Sequence, residues 1–395
     1  MNTSTPKLAV GDRVTVDIGN VAHGGHFIAR HNGQVIFVRH GITGEKAVVE
    51  ITATSSKVVR GDVVEVIEAS PARVESPCQY AHPKGCGGCD FQHIDITFQR
   101  ELKRKVVIEQ FSRIGGLEID LDVKGVEPLD GLHWRTRMDF AISKSGHPGL
   151  YANRSNEVVE ITDCLLAVEN MNVSEIASRK WNGPDRLELA VSSEGQVNLS
   201  RAGRSISGAT QLKEVVNGLN YKVSAQSFWQ GHRNAPSVLV KEAMTLMALQ
   251  DGDIACDLYG GAGLFAASMS KRVGTLGKVH LIELDAHATK DAKSGFAETK
   301  NVEVHVGKVE NELRKVSRAD VLLLDPPRTG AGKEVVDEML RIAPRTIVYV
   351  SCDPSSLARD AKYITEGGYE ISYLVGYDLF PMTAHVECVV QFTRL

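Results

Sequence analysis

Three cysteines in the first quarter of the chain fall within twelve residues. Cys78, Cys86 and Cys89 form the spacing C-x₇-C-x₂-C, and glycines surround the last two. Glycine lets the backbone curl tightly and leaves amide groups free to donate to sulfur. Closely spaced thiolates joined by one more distant ligand suit either an iron–sulfur cluster or a zinc ion. The spacing therefore predicts a metal centre and leaves both metals open.

The fourth ligand of this centre has more than one candidate. Cys164 is the best of them, whereas His82 or His93 would instead complete a zinc site. The chain has seven cysteines, an odd number that is spread unevenly. That distribution argues against a disulfide framework and for a reducing compartment.

A glycine-rich loop at residues 257–263, with the sequence DLYGGAG, follows an apolar strand and opens a helix. A strand–loop–helix turn of this kind lets a nucleotide approach the backbone and the helix N-terminus. Glu283 ends the next strand, where a carboxylate can accept hydrogen bonds from ribose hydroxyls. Both S-adenosylmethionine and NAD enzymes use this arrangement, so the loop alone predicts a nucleotide ligand without choosing between them.

An acid and two prolines follow the fourth strand of this region. Asp325 begins the sequence Asp-Pro-Pro-Arg, and prolines at the carboxyl end of a strand make a stiff pocket wall. A dehydrogenase does not need such a wall, so the motif favours a methyltransferase. Asp325 at the start of the motif and Arg328 at its end argue against amino groups of bases as the target of methylation.

Two further residues have the chemistry of a nucleophile and a base. Cys352 lies between a strand and a helix that starts after Pro354, and a helix N-terminus stabilises a thiolate. Glu387 begins the last strand among apolar neighbours, where partial desolvation suits a base. Together they suit methylation of carbon 5 of a pyrimidine. Thiolate addition at carbon 6 makes carbon 5 nucleophilic, and the base then removes the carbon 5 proton.

The elements that must position these residues change character along the chain. Residues 8–67 read as five short strands of an OB-like barrel. An irregular cysteine segment follows, then a helix ending at Gly115–Gly116, then strand-like runs over 133–205. From about residue 216, strands and helices alternate and close with an antiparallel pair. This predicts a doubly wound α/β sheet with an antiparallel edge strand, and domains at 1–68, 69–215 and 216–395.

Composition limits the partners. The chain has 395 residues, 43% hydrophobic and 24% charged, which excludes wholesale disorder. No apolar run approaches the ~20 residues of a membrane helix, and the N-terminus lacks a signal-peptide core, so we expect a cytoplasmic protein without a membrane partner. The net charge of −4 means that any nucleic acid must be held by local patches. The candidate basic residues are Arg100, Lys103, Arg104 and Lys105 on one helix, and Arg135 and Arg137 on one strand.

Taken together, these motifs resemble the RNA 5-methyluridine methyltransferase family, in its branch with an iron–sulfur cluster. Residues 8–67 look like its RNA-binding TRAM barrel, and the C-terminal part looks like a Rossmann-like class I methyltransferase domain. The resemblance implies a 4Fe-4S cluster, and it makes four cysteines the ligands. These are Cys78, Cys86, Cys89 and Cys164.

The resemblance also assigns the active site. The segment FWQGHRN, residues 228–234, matches an aromatic-x-Gln-x-x-x-Asn motif, so Gln230 is implied in the S-adenosylmethionine pocket. Tyr259, Glu283 and Asp325 match other donor-binding positions. Cys352 is implied as the nucleophile and Glu387 as the base. In two places the chain departs from the family: Gly260 stands where a cysteine is common, and Gly307-Lys308 stands where a polar residue often meets the adenine.

The activity implied is methylation of carbon 5 of a uridine in RNA, through a covalent cysteine adduct at carbon 6. The cluster-containing branch acts mostly on ribosomal RNA, so the resemblance favours 23S ribosomal RNA, with the T-loop of transfer RNA as the alternative. It implies no obligate protein partner. A cytosine enzyme is less favoured, because Asp325 stands where such enzymes place a cysteine motif. A non-catalytic RNA-binding or redox-sensing protein is the other alternative, and it would not need both Cys352 and Glu387.

Overall fold

The computed structural model describes residues 7–55 and 57–395. Residues 1–6 lie outside the described residues. The start of the first predicted domain and part of the segment on which the signal-peptide expectation rests fall there. Within the described ranges, no helix is long and apolar enough to cross a membrane.

The first unit is a closed five-stranded barrel. Its strands are β1 (Arg13–Ala22), β2 (His26–His31), β3 (Gln34–Arg39), β4 (Lys46–Thr54) and β5 (Val59–Glu68). They close in the order β1-β2-β3-β5-β4. Alternating residues such as Val16, Ile18 and Phe27 point into the core and are buried. The predicted OB-like barrel is therefore confirmed.

The second unit carries the cysteine segment, one long helix and an antiparallel sheet. Its elements are α1 (Ile96–Gln110), β6 (Val123–Gly125), β7 (Arg137–Ile142), β8 (Pro148–Tyr151), β9 (Val158–Glu160), α2 (Val173–Ser178), β10 (Leu187–Val191), β11 (Val197–Arg201) and β12 (Arg204–Gly208). The sheet order is β12-β11-β10-β7-β8-β9. Asp95 caps α1 by accepting from the backbone N–H of Thr97. One π turn follows, and Gly116 ends it at a φ of 65°, as the glycine pair predicts.

The third unit is the doubly wound sheet. A hairpin of β13 (Gln211–Val216) and β14 (Leu219–Ser224) precedes it. The remaining elements are α3 (Ala235–Met247), β15 (Ile254–Leu258), α4 (Ala266–Val273), β16 (Lys278–Glu283), α5 (Ala286–Gly295), β17 (Val302–Val306), α6 (Val309–Leu313), β18 (Val321–Leu324), α7 (Gly332–Ile342), β19 (Thr346–Ser351), α8 (Pro354–Glu366), β20 (Tyr369–Asp378) and β21 (Glu387–Arg394). Helices cover both faces, as the alternating pattern predicts.

The position of the antiparallel strand differs from the prediction. The sheet order is β17-β16-β15-β18-β19-β21-β20-β6, so β21 lies between β19 and β20 and is not an edge strand. Most of β21 is buried on both faces, which is the environment of an interior strand. The edge beside β20 is β6, which comes from residues 123–125 of the predicted central domain. That segment and α1, which packs on α8, join the cysteine unit to the doubly wound sheet.

Candidate active site and cysteine pocket

The four predicted cysteine ligands line one pocket. Cys78, Cys86 and Cys89 come from the irregular segment after the barrel, and Cys164 follows β9. Burial is the largest cause that raises the pKa of Cys86, Cys89 and Cys164, and the neighbouring thiols raise it further. The fold therefore gathers four sulfur atoms from segments separated by more than seventy residues of chain.

Several N–H donors point at these sulfurs. The backbone N–H of Gly88 donates to Cys86 Sγ at 3.3 Å, and Gln92 Nε2 donates to Cys89 Sγ at 3.2 Å. Arg135 lines the same pocket, and its charge lowers the pKa of Cys86 and Cys164. Amide and guanidinium donors around sulfur favour thiolates over thiols. These donors and the Arg135 charge therefore oppose the effect of burial on the thiols.

The two histidines weighed as zinc ligands do not line this pocket. His93 hydrogen-bonds through Nε2 to the carbonyl oxygen of Gly41 at 3.2 Å, and burial lowers its pKa to about 3. His82 hydrogen-bonds through Nδ1 to the carbonyl oxygen of Pro83 at 2.7 Å. Cys164 is the residue that joins the other three cysteines.

The glycine-rich loop turns sharply at the carboxyl end of β15. Tyr259 adopts a φ of 61°, which is strained for a residue with a side chain. Gly260 is required by packing, because a Cβ there would lie 2.7 Å from Leu281 Cγ. Gly261 has a φ of 55°, and a Cβ there would meet no atom within 4 Å. The loop therefore leaves open space beside its backbone, where a ligand can approach.

Glu283 ties this loop to the end of β16. Its Oε2 accepts from the N–H of Gly261 at 2.9 Å, and its Oε1 accepts from the N–H groups of Leu284 and Asp285 at 2.6 and 2.7 Å. A carboxylate offers about four acceptor positions, so one is left for a hydroxyl group. The predicted ribose contact is compatible with this geometry.

Two of the predicted donor-pocket residues contact each other directly. Gln230 Nε2 donates to Asp325 Oδ2 at 3.1 Å. Burial raises the pKa of Asp325 to about 7, and the hydrogen bond from Gln230 opposes this rise. The FWQGHRN segment is thereby joined to the wall formed by the Asp-Pro-Pro-Arg motif.

Sequence reasoning missed a third carboxyl group in this region. Asp257 is completely buried, and its Oδ2 accepts from the N–H of Ala266 at 2.9 Å. Its Oδ1 is buried with no hydrogen-bond partner among the described residues. Burial raises the pKa of Asp257 to about 8, and the charges of Asp325 and Glu283 add to the rise. The available signal was its position as an acid at the end of a buried strand.

Sheet register brings the predicted nucleophile and base together. Strands β19 and β21 are antiparallel neighbours, and Ser351 pairs with Cys388. Cys352 follows Ser351 and Glu387 precedes Cys388. The side chains of Cys352 and Glu387 are therefore neighbours at the carboxyl end of β19. Glu387 is buried, and burial raises its pKa well above the usual range, with Asp325 adding and Arg328 opposing.

Burial and nearby carboxyl groups oppose the ionisation of the Cys352 thiol that we expect the following helix to favour. Burial raises its pKa to about 12, and the charge of Glu387 contributes next. The first turn of α8 already has a cap, because Asp353 Oδ1 accepts from the N–H of Ser356 at 2.8 Å. Arg328 is the cation that lowers the pKa of Cys352. Burial and the neighbouring carboxyl groups thus favour the neutral thiol over the thiolate.

The predicted basic face of α1 is wrong. Lys103 is buried, and its Nζ donates to Asp378 Oδ1 at 2.5 Å and to the Phe380 carbonyl at 3.0 Å. Arg100 also pairs with Asp378, at 3.4 Å, and Arg104 pairs with Asp120. Arg100 and Lys103 therefore hold the end of β20 and the loop that precedes β21, whereas Arg104 stays partly exposed beside Asp120.

The predicted basic strand is also mostly turned inward. Arg137 Nη1 donates to the carbonyls of Ala225 and Ser227 at 3.1 and 2.9 Å, and Arg135 Nε donates to the Arg137 carbonyl. Arg137 Nε and Nη2 are buried atoms, so this guanidinium cannot track a phosphate backbone. Lys105 does stay exposed. It lines a groove between the barrel and α1 together with Arg30, Arg113, Asp17 and Glu109.

Comparison with known proteins agrees with this geometry. Residues 7–64 match the TRAM domain, and residues 277–395 match the family described as tRNA (Uracil-5-)-methyltransferase. A protein of Streptomyces avermitilis named as an uncharacterized RNA methyltransferase is 38% identical over 96% of this chain and 98% of its own length. One of the same name from Corynebacterium glutamicum is 34% identical over 100% of both chains.

A solved structure shares the fold over nearly the whole length. The tRNA (uracil-54, C5)-methyltransferase of Pyrococcus abyssi, in complex with S-adenosyl-L-homocysteine, has a TM-score of 0.74 and 23% identity, covering 95% of this chain and 99% of its own. The barrel, the sheet and the relatives point the same way. This chain belongs to the RNA uracil-5-methyltransferase family with an N-terminal TRAM domain, and it is an S-adenosylmethionine-dependent RNA methyltransferase.

Proposed function

We propose that this enzyme methylates carbon 5 of a uridine in 23S ribosomal RNA, through a covalent bond between Cys352 and carbon 6. The observation that carries the proposal is the sheet register that sets Cys352 beside Glu387. Asp325 lies close enough to raise the pKa of both groups. A thiol, a base and a donor-pocket acid therefore share one edge of the sheet.

S-Adenosylmethionine supplies an electrophilic methyl group on a positively charged sulfur. We assign its binding to Gln230, Tyr259, Glu283 and Asp325, around the open backbone of the glycine loop. The unpaired Asp257 oxygen fits a cationic ligand, because a buried acid without a counter-charge favours the approach of positive charge.

The protein's own residues carry the rest of the reaction. Cys352 gives up its proton to solvent and bonds to carbon 6 as a thiolate. The electron pair of the 5,6 double bond makes carbon 5 a nucleophile, which takes the methyl group and leaves the donor's sulfur neutral. Glu387, as carboxylate, then takes the proton from carbon 5. The carbon–sulfur bond breaks, the double bond re-forms, and Cys352 leaves as a thiolate. Because burial raises its pKa, Glu387 has to lose its resting proton before this step, and the carboxylate is then a stronger base than one in water.

For the cysteine pocket we propose the 4Fe-4S cluster. In the described part of the chain, no three of the four sulfurs lie within 4.8 Å of one another. Thiolates around one tetrahedral zinc would be roughly 3.8 Å apart, given zinc–sulfur bonds of about 2.3 Å. The wider spacing supports a group larger than a single ion. Cys78, Cys86, Cys89 and Cys164 would hold it, and it would tie their three segments together.

The choice of RNA rests on different support from the chemistry. The cysteine pocket favours ribosomal RNA, because the family's cluster branch mostly acts there. Transfer RNA is the second candidate, because the Pyrococcus abyssi enzyme of the same fold is a tRNA (uracil-54, C5)-methyltransferase. Mapping 5-methyluridine in 23S and transfer RNA with and without the gene decides between them. Loss of the mark from transfer RNA alone would overturn the ribosomal assignment.

The chemistry is tested with RNA that contains 5-fluorouridine. Fluorine at carbon 5 cannot leave as a proton does, so a Cys352 adduct formed in the presence of S-adenosylmethionine stays covalent. We expect the adduct with the native protein and with Cys256→Ala, whose thiol is buried in the core. Cys352→Ala should give none and lose methyl transfer by on the order of a thousandfold. Methyl transfer by Cys352→Ala within about tenfold of the native rate would refute the assignment.

A further inference from the structure

The turn between β1 and β2 of the barrel packs against the chain on both sides of the proposed catalytic pair. His23 Nε2 lies 3.2 Å from Asp353 Oδ2, and Asp353 directly follows Cys352. Gly25 has a φ of 78°, and a Cβ there would lie 2.6 Å from the Cβ of Ala384 in the loop before Glu387. The barrel therefore touches both catalytic loops.

This contact is fixed by further bonds. Arg39 on β3 pairs with Asp90 at 3.3 Å, and Asp90 Oδ2 accepts from the N–H of Ala384 at 3.4 Å. The N–H groups of Asp90 and Phe91 both donate to the carbonyl of Met382 at 3.0 Å. The barrel, the end of the cysteine segment and the loop before Glu387 are thus joined at one place.

Asp353 needs such a partner because it holds a charge next to the nucleophile. Its Oδ1 accepts from the N–H of Ser356 at 2.8 Å and from the Ser355 hydroxyl at 2.9 Å, while Oδ2 faces His23. Burial works against ionisation, but the bonds from His23, Ser356 and Ser355 hold the pKa of Asp353 well below its usual range. A carboxylate in this position disfavours a second negative charge on Cys352.

We propose that His23 of the barrel is a positioning residue of the active site, which holds the Asp353 carboxylate through its Nε2 so that Cys352 can ionise in place. The inference rests on the proposed role of Cys352 as nucleophile. His23 acts through Asp353 and needs no contact with the substrate. The barrel then completes the active site in addition to any part it has in holding RNA.

The charged groups around this pair are known from the fold. Cys352 is influenced by Glu387, Arg328, Asp325 and Asp353. His23 faces Asp353 and acts on His385, which is also influenced by Arg328. Among the described residues, Asp353 is the ion-pair partner of His23 and adjoins Cys352, so removing the charge of Asp353 should make His23 dispensable.

The test uses the full chain with His23→Ala, His23→Gln, Asp353→Asn and the double variant His23→Ala/Asp353→Asn. The first readout is the rate at which iodoacetamide alkylates Cys352 across pH, without RNA, followed on the Cys352-containing peptide by mass spectrometry. The second is the kcat and the KM for RNA at saturating donor. His31→Ala is the matched control, because His31 lies on the same barrel and hydrogen-bonds to Asn32.

We expect His23→Ala to slow alkylation and kcat about tenfold near neutral pH, which corresponds to about one unit in the pKa of Cys352. The KM for RNA should stay unchanged. Gln at 23 keeps an N–H donor of similar reach and should recover part of the loss. Asn at 353 can still cap α8 but carries no charge, so the double variant should regain the native alkylation rate.

Two outcomes overturn the inference. One is native alkylation and kcat in His23→Ala; the other is a rise in the KM for RNA alone, which would make the turn an RNA contact only. An active Cys352→Ala would instead remove the proposed nucleophile itself. The failure of the inference and the failure of the proposed function are therefore told apart.

Discussion

Two pockets in this molecule hold more acidic groups than cations. The cysteine pocket holds four thiols, and the edge of the doubly wound sheet holds the carboxyls of Asp257, Asp325 and Glu387 beside the thiol of Cys352. In both places burial is the largest cause that raises the pKa values. A buried acid without a counter-charge keeps its proton. Each pocket is therefore incomplete until a positive group enters it.

The pockets differ in what surrounds the acids. The cysteines come from irregular segments, and Gly88 and Gln92 already direct N–H groups at the sulfurs. The carboxyls come from the ends of rigid strands, and the backbone at Gly261 beside them faces open space. The first arrangement suits a resident metal group, which deprotonates thiols as it binds. The second suits a cation that enters and leaves at each turnover, as a sulfonium donor does.

Removal of the proposed base from the pocket of carboxyl groups should have the largest effect on turnover. Glu387→Gln keeps the shape but cannot accept the carbon 5 proton, so we expect turnover to fall by on the order of a thousandfold. Because addition and methyl transfer precede that step, a covalent protein–RNA adduct should accumulate on denaturing gels. Glu370→Gln, at an exposed position of β20, is the matched control. Normal turnover without an adduct would show that another group is the base.

Removal of one cysteine from the pocket should abolish binding of the iron that we propose for it. Purified without oxygen, the native protein should contain iron and sulfide in equal amounts and absorb broadly near about 400 nm. Cys164→Ser should lose most of this iron, since a serine hydroxyl is a poor ligand for it. Cys256→Ala, which changes a buried cysteine outside the pocket, should retain the iron. A colourless protein with one zinc ion would instead restore the zinc interpretation.

Short-range patterns predicted the strands and helices well, because buried apolar residues recur at the period of the element that contains them. The ends of β15, β16, β18 and β19 could be read as site positions for the same reason, since parallel strands end at one edge. The partners of charged groups could not be read this way. Lys103 looks solvent-facing on its helix, yet it pairs with Asp378, which lies 275 positions away. The contact of His23 with Asp353 likewise joins the barrel to the last domain, and no local pattern records it.

The charge of the incoming ligand sharpens the comparison between the two pockets. Burial raises the pKa of Asp325 to about 7 and that of Asp257 to about 8, so both carry protons at mildly acid pH. A sulfonium favours their ionised forms, so binding should release protons. Affinity for S-adenosylmethionine should rise with pH up to about 8, by up to about tenfold per pH unit for each proton released.

S-Adenosylhomocysteine is the matched control for this pH dependence, because its sulfur is neutral. Its affinity should change less over the same pH range. Asp325→Asn should reduce the difference in pH dependence between the two ligands. Calorimetry in two buffers of different ionisation enthalpy counts the protons released. Equal pH slopes for both ligands would mean that the acids do not sense the sulfonium.

In the groove between the barrel and α1, cations outnumber acids, which is the reverse of the two acid pockets. Arg30, Lys105 and Arg113 line it against only two acids, Asp17 and Glu109. If RNA phosphates follow this groove, Arg30→Ala and Lys105→Ala should each weaken RNA binding about two- to fivefold and reduce the salt slope by about one. The kcat on saturating RNA should not change, because neither side chain is among the groups that influence the pKa of Cys352. Lys241→Ala, exposed on α3, is the control. Unchanged affinity and salt slope in both groove variants would place the RNA path on another face of the protein.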